Sequence, residues 1–148
     1  MPVNEKIIPT GEIKSVENTP FDFRKIKKIG KDINIEDRQL KLGNGYDHCW
    51  VLNDYNKKSR KIGEVNSNKT KINMEIFSDL PGVQLYTGNF LDGSLNSKKD
   101  LKYINRSGFC LETQFYPNSP NNQNFPSTKL EPGKKFYSKT SFKFSIIE

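Results

Sequence analysis

The sequence predicts an all-β fold, an antiparallel β-sandwich, and three observations carry that expectation. No segment of the 148 residues sustains a long helical period. Apolar residues come instead in short runs separated by Gly, Pro, Asn and Asp clusters. The last run alternates: Phe136, Ser138, Thr140, Phe142, Phe144 and Ile146 share one parity, and Tyr137, Lys139, Ser141, Lys143 and Ser145 the other. That is the pattern of a strand with one buried and one wet face. Many short strands with regular turn signals indicate a sandwich or barrel.

Taken in order, strands are expected over residues 6–8, 11–16, 39–42, 48–52, 60–66, 71–77, 83–86, 108–115 and 135–146. Pro9-Thr10-Gly11 and Asn18-Thr19-Pro20 read as turns, and Glu131-Pro132-Gly133 as a tight turn feeding the last strand. The one helix-like stretch is a short turn over 21–26. There is no internal repeat and no linker that would divide the chain.

The length suffices for one domain with a real core. Apolar residues are 33%, low for a compact domain, but aromatics are 11% and recur along the whole chain. That argues against a disordered polymer, which lacks the large side chains needed to offset chain entropy. The net charge is +7, and a basic balance can signal nucleic-acid or membrane binding. Here the lysines are dispersed. The densest run, Lys57-Lys58-Ser59-Arg60-Lys61, reads as a solvated hairpin tip. No recognition helix, RNA-binding aromatic pair or zinc spacing accompanies it, so a nucleic-acid module ranks last. Cys49 and Cys110 have no metal-like spacing and read as two small buried thiols. No apolar stretch is long enough to span a membrane and the N-terminus lacks a signal-like apolar region, so a cytoplasmic protein without a disulfide is expected.

Three side chains are candidates for chemistry. In the run Ser107-Gly108-Phe109-Cys110-Leu111-Glu112-Thr113-Gln114, alternation sets Phe109, Leu111, Thr113 and Phe115 on one side. Cys110, Glu112, Gln114 and Tyr116 take the other. A lone Glu on an uncharged strand face is a buried hydrogen-bonded group, a working acid or base, or a plain surface residue. Partial burial among Cys110, Gln114 and Tyr116 would raise its pKa and make it a better base near neutrality. Asp47 shares a side with Cys49 and Val51, opposite Tyr46, His48 and Trp50. It is either a fork for two hydroxyl donors or a turn residue after Gly43-Asn44-Gly45. The Gln84 amide can both donate to and accept from neighbouring hydroxyls, or be an exposed strand residue. Asn89 and Asp92 read as shaping their loop. Trp50 and Tyr86 could stack on a ring, though a Trp in an apolar strand is more often core. His48 faces away from Asp47 by alternation, and 117–127 reads as a rigid rim loop.

Five segments in order are similar to the aldose 1-epimerase (galactose mutarotase) family. They are Ile8-Pro9-Thr10-Gly11-Glu12-Ile13 with Thr19-Pro20-Phe21-Asp22-Phe23-Arg24; Gly45-Tyr46-Asp47-His48 with Val51-Leu52; Pro81-Gly82-Val83-Gln84-Leu85-Tyr86-Thr87-Gly88-Asn89-Phe90-Leu91-Asp92-Gly93; the Glu112 strand; and 121–128. The resemblance implies a mutarotase-type β-sandwich, with Glu112 as the catalytic base and Asp47 and Gln84 as sugar ligands. It implies interconversion of the anomers of hexoses such as galactose or glucose, with no metal, nucleotide or prosthetic group.

The resemblance also has a gap. The family's Arg, His-Gly-Gly-like turn and general-acid His have no counterpart, and the only His is His48. Residues 1–148 are therefore expected to be the C-terminal half of an aldose 1-epimerase domain. That half would come from a truncated or split gene, a late start or a short paralogue. It would be weak or inactive alone. A non-catalytic carbohydrate-binding sandwich is the alternative, as is a fragment that needs an N-terminal partner half and self-associates without one.

Overall fold

The computed structural model describes residues 1–147. A short helix, α1 (Arg38–Gly43), precedes six strands: β1 (Asp47–Val51), β2 (Arg60–Asn66), β3 (Ile72–Ser78), β4 (Gly82–Tyr86), β5 (Cys110–Gln114) and β6 (Thr140–Ile146). They form two three-stranded antiparallel sheets, ordered β1-β4-β5 and β2-β3-β6. The all-β antiparallel class is as the sequence predicts.

The chain crosses between the sheets after β1, returns after β3 and crosses again after β5. The basic run at 57–61 is thus no hairpin tip. It leads from one sheet to the other, and Arg60 and Lys61 already lie in β2. The guanidinium of Arg60 donates to the carbonyls of Ser78 (3.1 Å) and Leu80 (3.3 Å), tying this crossing to the return.

Residues 39–42 are helical, not a strand. Asp37 caps α1, its carboxylate accepting from the backbone N–H groups of Gln39 and Leu40, and Asn44 closes it in the left-handed conformation. Two polar caps settle a stretch whose apolar pattern was too short to distinguish the two states. Residues 6–8 and 11–16 are irregular, with one isolated bridge, Val3 to Pro9, in the N-terminal segment. No helix forms over 21–26; Phe21 and Phe23 turn inward against Tyr46 and Trp50.

The main core lies on one face of β1-β4-β5. Ile33, Leu40, Tyr46 and Leu85 are buried there, with Phe21, Phe23, Trp50 and Leu111 packed around them. Tyr46 donates its hydroxyl to the Pro20 carbonyl (2.9 Å) and Trp50 its indole N–H to the Phe21 carbonyl (2.9 Å). Both aromatics, Tyr46 buried and Trp50 half-buried, thereby satisfy their polar ends. A smaller core on the opposite face joins Cys49, Tyr116 and Phe125 to Met1 and Val51.

The second sheet departs from expectation. β6 begins only at Thr140, and its apolar side is bare: Phe142 is 46% exposed, Phe144 64% and Ile146 73%. The Glu131-Pro132-Gly133 turn is present, with Lys134 N–H donating to the Glu131 carbonyl, but it does not open the strand directly.

Asn89 fixes the entry to β1. Its amide donates to the carbonyls of Gly43 and Tyr46 (2.8 Å each) and accepts from the Thr87 hydroxyl (2.6 Å). Gly45 makes room for it: with φ +132°, a Cβ there would sit 2.5 Å from Asn89 Oδ1. Replacing Asn89 with Ala takes the partner from the Gly43 carbonyl, while the Tyr46 carbonyl keeps the Thr87 N–H (3.1 Å), so Asn89→Ala is expected to lower unfolding free energy by about 1–3 kcal/mol. Urea titration of both proteins checks this, and a loss under about 0.5 kcal/mol would contradict the clamp.

Candidate active site

The sheet β1-β4-β5 has a second face, and alternation delivers the polar residues to it. Opposite the core residues Tyr46, Trp50, Leu85 and Leu111 stand Asp47 and Cys49 on β1, Gln84 and Tyr86 on β4, and Glu112 and Gln114 on β5. Cys49, Gln84 and Glu112 form one row across the three strands, and Asp47, Tyr86 and Cys110 the next. This face floors a cleft of about 360 Å³, which Asp47, Gln84, Glu112 and Gln114 line together. The three residues singled out from sequence therefore meet in one hollow.

A hydrogen-bond chain runs across that floor. Gln84 Nε2 donates to Asp47 Oδ1 (2.7 Å), and Gln84 Oε1 accepts from Gln114 Nε2 (3.3 Å). The Gln84 amide is thus held from both ends, with its orientation set by its neighbours. Asp47 and Gln84 are half-buried, whereas Glu112 is exposed and Cys110 beside it is exposed as well. The partial burial expected around the Glu112 carboxylate is absent: β5 is an edge strand, and nothing among the described residues covers its outer side at that row. Cys110 is accordingly not a buried thiol. Cys49 is, and burial pushes its thiol up to about 11, which leaves it unreactive.

Sequence reasoning missed three parts of the site. Gln114 carried a signal, since it shares the parity of Glu112. Phe90 did not; it lines the cleft because Tyr86, whose hydroxyl accepts from the Phe90 N–H (3.1 Å), stacks on it at 6.3 Å between ring centroids. The N-terminal segment, through Val3, Ile7 and Pro9, supplies another wall. Gln39 of α1 pins it there by exchanging hydrogen bonds with the Val3 N–H and carbonyl (2.6 and 3.0 Å). The Trp50 ring takes no part in stacking, being packed into the core.

His48 borders the cleft, but its register and its contact with Phe21 put the ring on the opposite face of the sheet, as alternation requires. It is buried, with its ring 4.9 Å from that of Phe21, and its Nδ1 accepts from the Asp47 N–H (3.1 Å).

The family model for aldose 1-epimerase matches residues 1–143. The chain belongs to the aldose 1-epimerase family. Among curated relatives, galactose mutarotase of cattle (Bos taurus) is 43% identical over 146 residues, covering 99% of this chain and 41% of the relative. Aldose 1-epimerase of Escherichia coli K12 is 35% identical, covering 97% of this chain and 42% of its own length. Among solved structures, galactose 1-epimerase from Lactobacillus acidophilus superposes with a TM-score of 0.80 at 32% identity, over 98% of this chain and 40% of that one. The GalM/aldose epimerase homologue from Caenorhabditis elegans gives 0.79 at 28%, over 99% and 42%. The chain spans about two-fifths of the length of the relatives it matches. The segments that suggested an epimerase all lie within the matched region.

The His48 environment makes stability pH-dependent. Burial first, and the Met1 ammonium second, push its titration down to about 4 from 6.5, with Asp37 opposing. The folded state holds the neutral ring while the unfolded chain binds a proton below 6.5, so stability is complete above that pH and falls as the pH drops towards 4. At about 1.36 kcal/mol per pH unit the loss is about 3 kcal/mol at most. Denaturant unfolding at pH 7 and pH 4.5 should reveal it. A His48→Gln variant, which cannot titrate, should lose most of the slope. An equally steep dependence in that variant would exclude His48 as the cause.

Proposed function

We propose that this chain carries the sugar-binding floor and the proton-accepting carboxylate of an aldose 1-epimerase that interconverts the anomers of hexoses such as galactose or glucose. One observation supports the reading above others: Asp47, Gln84 and Glu112, on three neighbouring strands, line one cleft. Asp47 offers a fork for two sugar hydroxyls, and Gln84, oriented by Asp47 and Gln114, presents an amide that reads one hydroxyl as donor and another as acceptor. Glu112, at the rim, takes the proton of the anomeric hydroxyl. The ring opens to the aldehyde as an acid protonates the ring oxygen, rotation about C1–C2 turns the other carbonyl face, and reversed transfers close it.

The acid is the missing partner in this scheme. His48, the chain's only His, is turned into the core. We assign residues 1–148 to the C-terminal half of the epimerase domain and place the acid in an N-terminal half, with the chain alone weak or inactive. That same orientation of His48 favours a second reading, a non-catalytic sugar-binding module that keeps the polar floor without proton transfer. The two free thiols suit a reducing compartment, and we place the protein in the cytoplasm. Among the described residues no helix is long and apolar enough to cross a membrane.

Calorimetry with D-galactose and polarimetry of its mutarotation separate the readings. We expect galactose binding that Asp47→Ala weakens about tenfold or more and Glu112→Gln largely retains. Any turnover above buffer should fall about 10²-fold or more in Glu112→Gln. Binding with no turnover, persisting when the part of bovine galactose mutarotase that the chain does not match is added, selects the second reading. No binding by the wild-type chain, or turnover indifferent to Glu112→Gln, would defeat the first.

A further inference from the structure

The peptide that enters β1 is held on both sides. The Tyr46 carbonyl faces β4, where it accepts from the Thr87 N–H (3.1 Å) and from the Asn89 amide (2.8 Å). In a trans peptide the N–H points opposite to the carbonyl, so the Asp47 N–H faces away from β4. β1 is the edge of its sheet, and no strand among the described residues takes that N–H. The His48 imidazole takes it instead, with Nδ1 accepting at 3.1 Å. The ring is wedged in the orientation this bond needs. Phe21 meets it edge-on at 4.9 Å between centroids, and a Cβ at Gly43 would stand 3.2 Å from its Cε1. Burial keeps the ring neutral down to about pH 4, so Nδ1 retains its lone pair at pH 7. Accepting at Nδ1 puts the proton on Nε2, and that N–H is buried with no partner among the described residues.

We propose that His48 is a positioning residue of the hexose site: it fixes the peptide plane ahead of Asp47 and so aims the carboxylate that receives the sugar hydroxyls. The inference rests on the reading of the cleft as a sugar site. A side chain kept for packing alone would be apolar, because burying an imidazole with one nitrogen unpaired costs stability. The hydrogen bond that the ring does make goes to the backbone of a proposed sugar ligand. Asp47 is also the residue of β1 most in need of such a hold. It is the first residue of the strand and follows directly on the turn through Gly43 and Gly45. Its Oδ1 accepts from Gln84 Nε2 at 2.7 Å, a bond that weakens as the direction of the Asp47 side chain swings. With its N–H released, the peptide between Tyr46 and Asp47 can rock about the clamped Tyr46 carbonyl. That motion loosens the Asp47–Gln84 pair at the centre of the cleft floor.

Two substitutions separate positioning from packing. His48→Asn sets an amide oxygen near the place of Nδ1 and keeps an acceptor for the Asp47 N–H, but it leaves a void beside Phe21. His48→Leu fills the space of the ring, removes the acceptor and exchanges one unpaired N–H for another. Urea unfolding at pH 7 should therefore find His48→Asn the less stable of the two. Galactose affinity by calorimetry should run in the opposite order: within about threefold of wild type in His48→Asn, and weaker by about tenfold or more in His48→Leu. Without sugar, hydrogen exchange followed by NMR should show the Asp47 amide opening about tenfold or more faster in His48→Leu and staying protected in His48→Asn. Affinity that follows stability, full affinity in His48→Leu, or an Asp47 amide indifferent to His48→Leu would each overturn the proposal. A wild-type chain that binds no galactose would defeat the sugar-site reading instead. The exchange ratio then decides alone: about tenfold or more upholds the His48 hold on Asp47, and no change overturns it.

Discussion

The amide of Asn89 is the constraint on which the rest of the site depends. It grips the carbonyls on both sides of the Gly43–Tyr46 turn and thereby fixes where β1 begins. Where β1 begins sets its register with β4, and the register brings Cys49 opposite Gln84 and Asp47 opposite Tyr86. A slip of one residue would turn Asp47 into the apolar core and Tyr46 into the cleft. The hydrogen bond between Gln84 and Asp47 exists because that slip is prevented.

Each side of β1-β4-β5 serves a different end. The aromatic side gives burial and anchors long loops whose backbone groups it also satisfies, as Tyr46 and Trp50 do for Pro20 and Phe21. The polar side forgoes apolar contact at its centre and keeps instead a line of amide and carboxylate groups. Such a line is costly to desolvate unless its members bond one another. Gln84 does so in both directions. Glu112, at the exposed edge, does not need to.

The second sheet shows the same alternation with only half of its consequences met. Its ionic face, where Lys61 and Lys143 pair with Glu75, is complete as it stands, while its apolar face remains in contact with water. Local sequence therefore built the sheet without deciding what its apolar face meets.

Much was legible from residues alone because it depends on period and local chemistry. Alternation assigned Asp47 and His48 to opposite faces, located β2 from Arg60 to Asn66, and set Glu112 beside Gln114. Resemblance of short motifs indicated the family. What the sequence did not settle depended on distant partners. Residues 39–42 became a helix because Asp37 and Asn44 cap them. The N-terminal segment became a cleft wall because Gln39 captures Val3. The strict alternation of β6 expressed a face able to be buried, and whether it is buried is decided by what packs on it. Periodicity determines which side chains share a face; only the tertiary structure decides what that face meets, because burial is a property of the neighbour as much as of the strand.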